Sequence, residues 1–201
     1  MTSKKIFLSH VPKVAGCAIQ NLLNPNKVLH WDVSREFCIG EYISENSLQD
    51  FLKIGFVRNP WDRLVSCFFF FKQGEEHDWP DADAREIKKM NTFESFNDFI
   101  LDLEANTAWW QNKFHFLDQH LWTHSSEGVL ALDYLGKYET LNKDVEALFK
   151  KLSKPPRQLK KINASRHDHY TAYYNDKSIE IVSRIYSKDI KLFGYKFGEQ
   201  K

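Results

Sequence analysis

At 201 residues the chain has the length of one ordinary domain, and its 42% hydrophobic and 15% aromatic content excludes an intrinsically disordered polymer. A formal net charge of +1 excludes a chain-wide electrostatic grip on nucleic acid or on an anionic membrane, so neither is expected as a partner. Cys17, Cys38 and Cys67 lack CxxC or zinc spacing and read as reduced thiols; with no signal-peptide pattern and no bilayer-length apolar run, the expected location is the cytoplasm.

In chain order, Lys5–Ser9 is a short apolar run of β type, and a turn-rich loop follows from His10 to Gly16. Cys17–Leu23 has helical spacing, with Ile19, Leu22 and Leu23 on one side. Lys27–His30 reads as a second short strand and Ser47–Leu52 as part of a helix. Lys53–Val57 is a buried strand ending at Arg58. Asn59 as N-cap and Pro60 at the first helical position then open a helix over Pro60–Lys72. Its Leu64, Val65, Phe68, Phe69 and Phe71 predict core packing. Residues 74–91, polar and punctuated by Gly74 and Pro80, read as a loop excursion, with the acids from Glu75 to Glu86 on a solvated face.

Phe93–Leu103 returns to helical spacing, Val129–Leu132 reads as a strand, and Leu141–Leu152 as an amphipathic helix ahead of Pro155-Pro156. The basic run Lys150–Lys161 suits a solvated face or the attraction of an anionic substrate. Asp176–Leu192 reads as one long helix with Ile179, Val182, Ile185, Tyr186 and Ile190 inward, stopped by Gly194. Strands alternating with helices predict an α/β fold: P-loop-like and three-layered, a central, mainly parallel sheet flanked by helices, with residues 1–201 as one domain.

The first loop is a candidate anion site. Backbone N–H groups of Ala15, Gly16, Cys17 and Ala18 can converge at the positive end of the following helix, and Lys13 adds a full charge. A tight strand-to-helix turn is the plainer reading of the same residues. The pattern is not GxxxxGK[ST]: the lysine precedes the glycine and no hydroxyl follows it, so the magnesium ligand of kinase chemistry is missing. Arg58 ends a strand, on the edge where open α/β sheets bind ligands, and Ser66 lies about two turns into the next helix. This pair can grip a second phosphate, or Arg58 can pair with a carboxylate such as Asp62 and Ser66 simply be buried. Two grips on neighbouring strand ends suit a nucleotide phosphorylated at both ends.

Ile6-Phe-Leu-Ser-His-Val-Pro-Lys-Val-Ala-Gly-Cys-Ala-Ile19 resembles the 5′-phosphosulfate loop of the sulfotransferase family that includes many carbohydrate sulfotransferases. Phe56-Val-Arg-Asn-Pro-Trp-Asp-Arg-Leu-Val-Ser-Cys-Phe68 resembles its 3′-phosphate motif. Asp133–Leu141, Asn163–Tyr174 and Phe193–Phe197 extend the likeness over nearly the whole chain. The resemblance implies 3′-phosphoadenosine 5′-phosphosulfate as donor, without a metal, and a hydroxyl or amine acceptor, possibly on a carbohydrate. By it, Lys13 binds the 5′-phosphate and stabilises charge on the leaving oxygen, and Ala15, Gly16, Cys17 and Ala18 line the phosphosulfate. Arg58 and Ser66 hold the 3′-phosphate and Arg166 closes over the nucleotide.

Val14, Cys17 and Ala18 stand where the family usually has hydroxyl residues, which removes side-chain hydrogen bonds but leaves backbone donors. His30, in His30-Trp-Asp-Val-Ser-Arg-Glu36, is the candidate general base, the alternative being a histidine that only orients its loop; Glu36 is a weaker candidate. His115 and His120, flanking Gln119, are candidates for the acceptor cleft. Trp79, Trp109, Trp110 and Trp122 fill core or stack on a sugar. The rival readings are a small-molecule kinase of similar fold and a catalytically silent nucleotide-binding homologue.

Overall fold

In the computed structural model, which describes residues 5–23, 28–31, 38–73, 81–155, 157, 159 and 167–199, the apolar run Lys5–Ser9 forms strand β1 and Gly16–Leu23 forms helix α1. Then follow β2 (Val28–Trp31), α2 (Ile39–Glu45), β3 (Phe51–Val57), α3 (Pro60–Lys72), α4 (Asp81–Asn91), α5 (Phe96–Ala105) and α6 (Thr107–Trp110). After them come β4 (Tyr134–Lys137), α7 (Leu141–Lys151), α8 (Asp176–Ile185) and α9 (Ser187–Phe193). The fold is α/β. Its described residues divide into two compact units: Met1–Arg58 with Leu117–Asn163, and Asn59–Phe116 with Ala164–Gln200.

The first unit holds the sheet. Its four strands run in the order β2-β1-β3-β4, and every neighbouring pair is parallel. Ile6, Phe7, Leu8, Ile54, Phe56 and Val57 are almost fully buried, which is why β1 and β3 read as unbroken apolar runs and not as alternating ones. Helix α1 buries Ala18, Ile19 and Leu23, and Tyr42 of α2 stacks on Phe7 at 6.0 Å between ring centroids.

Two expectations for this unit change. Ser47–Leu52 is not helical beyond a 3-10 turn at Leu48–Asp50; β3 already begins at Phe51, because its pairing with β1 starts at Lys5↔Phe51. Val129–Leu132 is not a sheet strand either. Val129 and Leu130 are exposed, and the segment folds back on Thr123–Ser125 through a bridge between His124 and Leu130.

The fourth strand starts after Asp133, whose carboxylate accepts the Lys53 backbone N–H at 2.8 Å and pairs with the Lys53 ammonium at 2.9 Å. That fixes the register Ile54↔Tyr134. Gly136 is required in β4 by close approach: a Cβ there would fall 2.4 Å from the buried Phe56 ring. Asp144 of α7 ties the helix to the strand end, accepting the Lys137 N–H at 2.9 Å and the Thr140 hydroxyl at 2.6 Å. The Tyr134 hydroxyl donates to the Asp144 carbonyl; burial first, then the nearby Asp144 charge, pushes that phenol up to about 12.

The second unit is helical and aromatic. Asn59 caps α3 as the sequence predicts, its side chain accepting the Trp61 N–H at 3.1 Å with Pro60 at the first turn. Phe68 stacks on Phe99 of α5 and Phe71 on Phe116; Phe69 is only half-buried. Residues 81–91, expected within a loop excursion, form helix α4, because Met90 is fully buried and Glu86 nearly so. Residues 74–80, with Trp79, lie outside the described residues.

The expected long helix Asp176–Leu192 is two helices. At Tyr186 the backbone turns to ψ 27°, and its hydroxyl donates to the Phe116 carbonyl at 2.8 Å. The buried stripe is therefore Ile181, Val182, Tyr186, Asp189 and Phe193, while Ile179, Ile185 and Ile190 are half-buried. Gly194, at φ 68°, stops α9 as expected.

Candidate functional site

The strand order places a topological switch between β1 and β3. The crossover through α1 carries the chain to one side of β1, and β3 returns on the other. In open parallel sheets the C-terminal strand ends at such a point leave a crevice for ligands. The loop after Ser9 and the residue Arg58 both occupy it. Ser9 pairs with Gly55, so Arg58 lies three residues further along than the end of β1, beside the loop. Ser9 Oγ donates to the Trp122 carbonyl at 2.5 Å, anchoring the loop at its root.

The loop itself is strained. Lys13 has φ 66° and Ala15 φ 67°, the left-handed region that costs an L-residue about 1–2 kcal/mol. Such backbone persists only where surrounding contacts impose it, and it clusters at ligand sites. Val14, between them, is 1% exposed, and Ala18 is also buried, whereas Cys17 faces solvent. The departures at Val14 and Ala18 thus place apolar side chains in the core. The helical bond ladder of α1 begins with Ile19 N–H to the Ala15 carbonyl at 3.0 Å, so Gly16, Cys17 and Ala18 present first-turn N–H groups without intrahelical acceptors. Gly16 is also a contact position. A Cβ there would fall 2.0 Å from the His10 imidazole, which lies directly over the start of the helix.

Arg58 is 5% exposed and is held from several directions. Its guanidinium donates to the Lys13 carbonyl at 3.0 Å and stacks over the Tyr138 ring, 4.0 Å from the centroid. Its backbone N–H donates to Gln119 Oε1 at 2.9 Å, and Gln119 Nε2 donates back to the Arg58 carbonyl at 2.8 Å. Gln119 is fully buried. Its primary amide therefore continues the hydrogen-bond ladder of β3 beyond its last strand residue.

Of the residues singled out from the sequence, the structure brings Lys13, Ala15, Gly16, Cys17 and Ala18 onto one loop and joins that loop directly to Arg58. His30 pairs by its backbone with Leu8, at the same end of the sheet. Ser66 is buried in α3 and belongs to the second unit. Arg166 and Glu36 lie outside the described residues. His120 is buried in the first unit beside Gln119. His115 lies in the second, its ring against Phe70 and Phe71. Trp110 and Trp122 are fully buried core, and Trp109 is half-buried against Lys113.

Gln119 and Tyr138 are not marked as site residues by residue type alone. A buried primary amide and an aromatic next to a strand end acquire meaning only when paired with Arg58, 61 residues away from Gln119. The available signals are the place of Tyr138 within the family-like stretch Asp133–Leu141 and that of Gln119 between two charged or titratable neighbours, Asp118 and His120.

A family model described as "Sulfotransferase family" matches residues 2–196, nearly the whole chain and both of its units. No curated protein and no solved structure matches the chain significantly. Among the described residues no helix is long and apolar enough to cross a membrane.

Proposed function

The chain belongs to the sulfotransferase family, whose activity is sulfuryl transfer, and we propose that its donor is 3′-phosphoadenosine 5′-phosphosulfate and its acceptor a hydroxyl on a carbohydrate or small molecule. The observation that carries this reading is the hydrogen bond from Arg58 to the Lys13 carbonyl, which joins two candidate phosphate grips at the switch point of a parallel sheet. The donor supplies an activated sulfuryl group, and the acceptor oxygen displaces its 5′-phosphate.

In this reading the first-turn N–H groups from Gly16 to Ala18 and the Lys13 ammonium take up charge on the departing phosphate oxygen. Donors fixed before the reaction stabilise charge where it develops without reorganising. Arg58 and Ser66 hold the 3′-phosphate, Arg166 covers the nucleotide, and His30 removes the acceptor proton. No step calls for a metal ion. Residues 1–201 act as one sulfotransferase domain. The three free cysteines suit a reducing compartment, and we place the reaction in the cytoplasm.

Transfer of labelled sulfate from the phosphosulfate donor to a panel of hydroxyl acceptors tests the proposal. Lys13→Ala is expected to lower turnover by about 10²–10³-fold, the usual loss for one oxyanion donor. His30→Ala is expected to lower it by about 10²–10⁴-fold, with the loss largest near neutral pH. Full turnover in His30→Ala rejects that residue as the base. A chain that binds the donor and transfers nothing to any acceptor favours the silent homologue, a reading that the apolar Val14 and Ala18 keep open.

A further inference from the structure

We infer that Gln119 and Tyr138 are the positioning residues of this site: together they fix Arg58 in the orientation that binds the donor nucleotide's 3′-phosphate. The inference rests on the functional reading above and deepens it.

An arginine at the end of a strand has a free backbone and four rotatable side-chain bonds. Left alone, it pays for each phosphate bond with side-chain entropy. Here both ends of the residue are held. Gln119 satisfies the Arg58 N–H and carbonyl with a matched pair of bonds at 2.9 and 2.8 Å, which sets where the Cα–Cβ bond points. Gln119 is fully buried, so no water competes for either bond. Tyr138 then covers one face of the guanidinium, 4.0 Å from ring centroid to Cζ, and restricts the plane in which its fork lies.

The bond from Nη1 to the Lys13 carbonyl fixes one end of the planar fork. It also transmits the bracing. The accepting carbonyl belongs to a residue in the left-handed region, so a displaced Arg58 releases the strained loop as well as the second phosphate grip. The turn at Gln119 and the end of β4 at Tyr138 thereby serve donor binding without touching the donor.

The test is the affinity of the full chain for 3′-phosphoadenosine 5′-phosphate, by calorimetry, in wild type and three variants. Tyr138→Leu is expected to weaken binding by about tenfold while Tyr138→Phe stays within about twofold, because the ring and not the hydroxyl does the stacking. Gln119→Glu keeps the shape but, when ionised, cannot donate to the Arg58 carbonyl. Its affinity is expected to be at least about tenfold below wild type at about pH 8 and to approach wild type as the buried carboxyl protonates towards about pH 5.

A merely structural role for Gln119 would lower Tm without this pH-dependent recovery. Wild-type affinity in both Tyr138→Leu and Gln119→Glu, across the pH range, overturns the inference and leaves the functional reading intact. If Gln119→Glu does not fold, the Leu and Phe variants of half-exposed Tyr138 decide alone. Wild type that binds no 3′-phosphoadenosine 5′-phosphate overturns the functional reading and this inference together.

Discussion

Lys13 and Ala15 hold left-handed backbone without being glycine, and that strain sits in the loop we assign to the donor's phosphosulfate. Replacing Ala15 with glycine removes the Cβ penalty of about 1–2 kcal/mol and adds about 0.5–1 kcal/mol of unfolded-chain entropy. The net expectation for Ala15→Gly is a stabilisation of up to about 1.5 kcal/mol, read as a higher denaturant midpoint at unchanged slope. Gly16→Ala acts differently. Its φ is ordinary, but its new methyl meets the His10 ring, so the imidazole must swing off the start of α1. What was legible at this scale was charge and size: Lys13, Gly16 and Arg58 are marked by residue type alone. The φ values and the Gln119 brace were not, because they arise from contacts with distant segments.

Elements were legible where local chemistry and tertiary packing agree. Asn59-Pro60 begins α3 and Gly194 ends α9, each by its own backbone requirement. The errors share a cause. Val129–Leu132 has the composition of a strand, yet the edge position beside β3 goes to Tyr134–Lys137, because Asp133 bonds Lys53 and Gly136 lets Phe56 lie close. Likewise α8 and α9 share one apolar period, and the break at Tyr186 follows from a bond to a carbonyl 70 residues away.

Two tests belong here. Gly136→Ala is expected to destabilise by about 1–3 kcal/mol, the usual cost of forcing a methyl into a packed core. The second concerns acid. Burial pushes the Asp133 carboxyl up, but the Lys53 N–H and ammonium outweigh it, and the net shift is downward from 3.8. The Ser126 hydroxyl and N–H lower Glu41 from 4.5 in the same way. A lowered carboxyl pKa contributes stability that is present above the unfolded value and lost as pH falls through the folded one. Tm should therefore drop as pH falls below about 4, and the drop should be shallower in Asp133→Asn and Glu41→Gln. Equal slopes in wild type and both variants would refute these two contacts as contributors.

For the whole molecule, the sequence conveys the α/β class and the parallel sheet, since strand and helix patterns alternate in order along the chain. The division into two compact units was not legible, because the second unit is assembled from two separate stretches, Asn59–Phe116 between β3 and β4 and Ala164–Gln200 after α7, and its helices carry the same apolar spacing as those of the first. We propose that the two units, both of which one family model spans, act as one sulfotransferase domain. That reading makes a demand on ligand choice that a kinase of similar fold would not meet. The most direct measurement is calorimetry of 3′-phosphoadenosine 5′-phosphate against magnesium-ATP, in wild type and Arg58→Ala. We expect the bisphosphate to bind at least about a hundredfold tighter, an advantage of about 2.7 kcal/mol, and Arg58→Ala to abolish it. Equal or tighter binding of magnesium-ATP, or undiminished bisphosphate affinity in Arg58→Ala, would contradict the account.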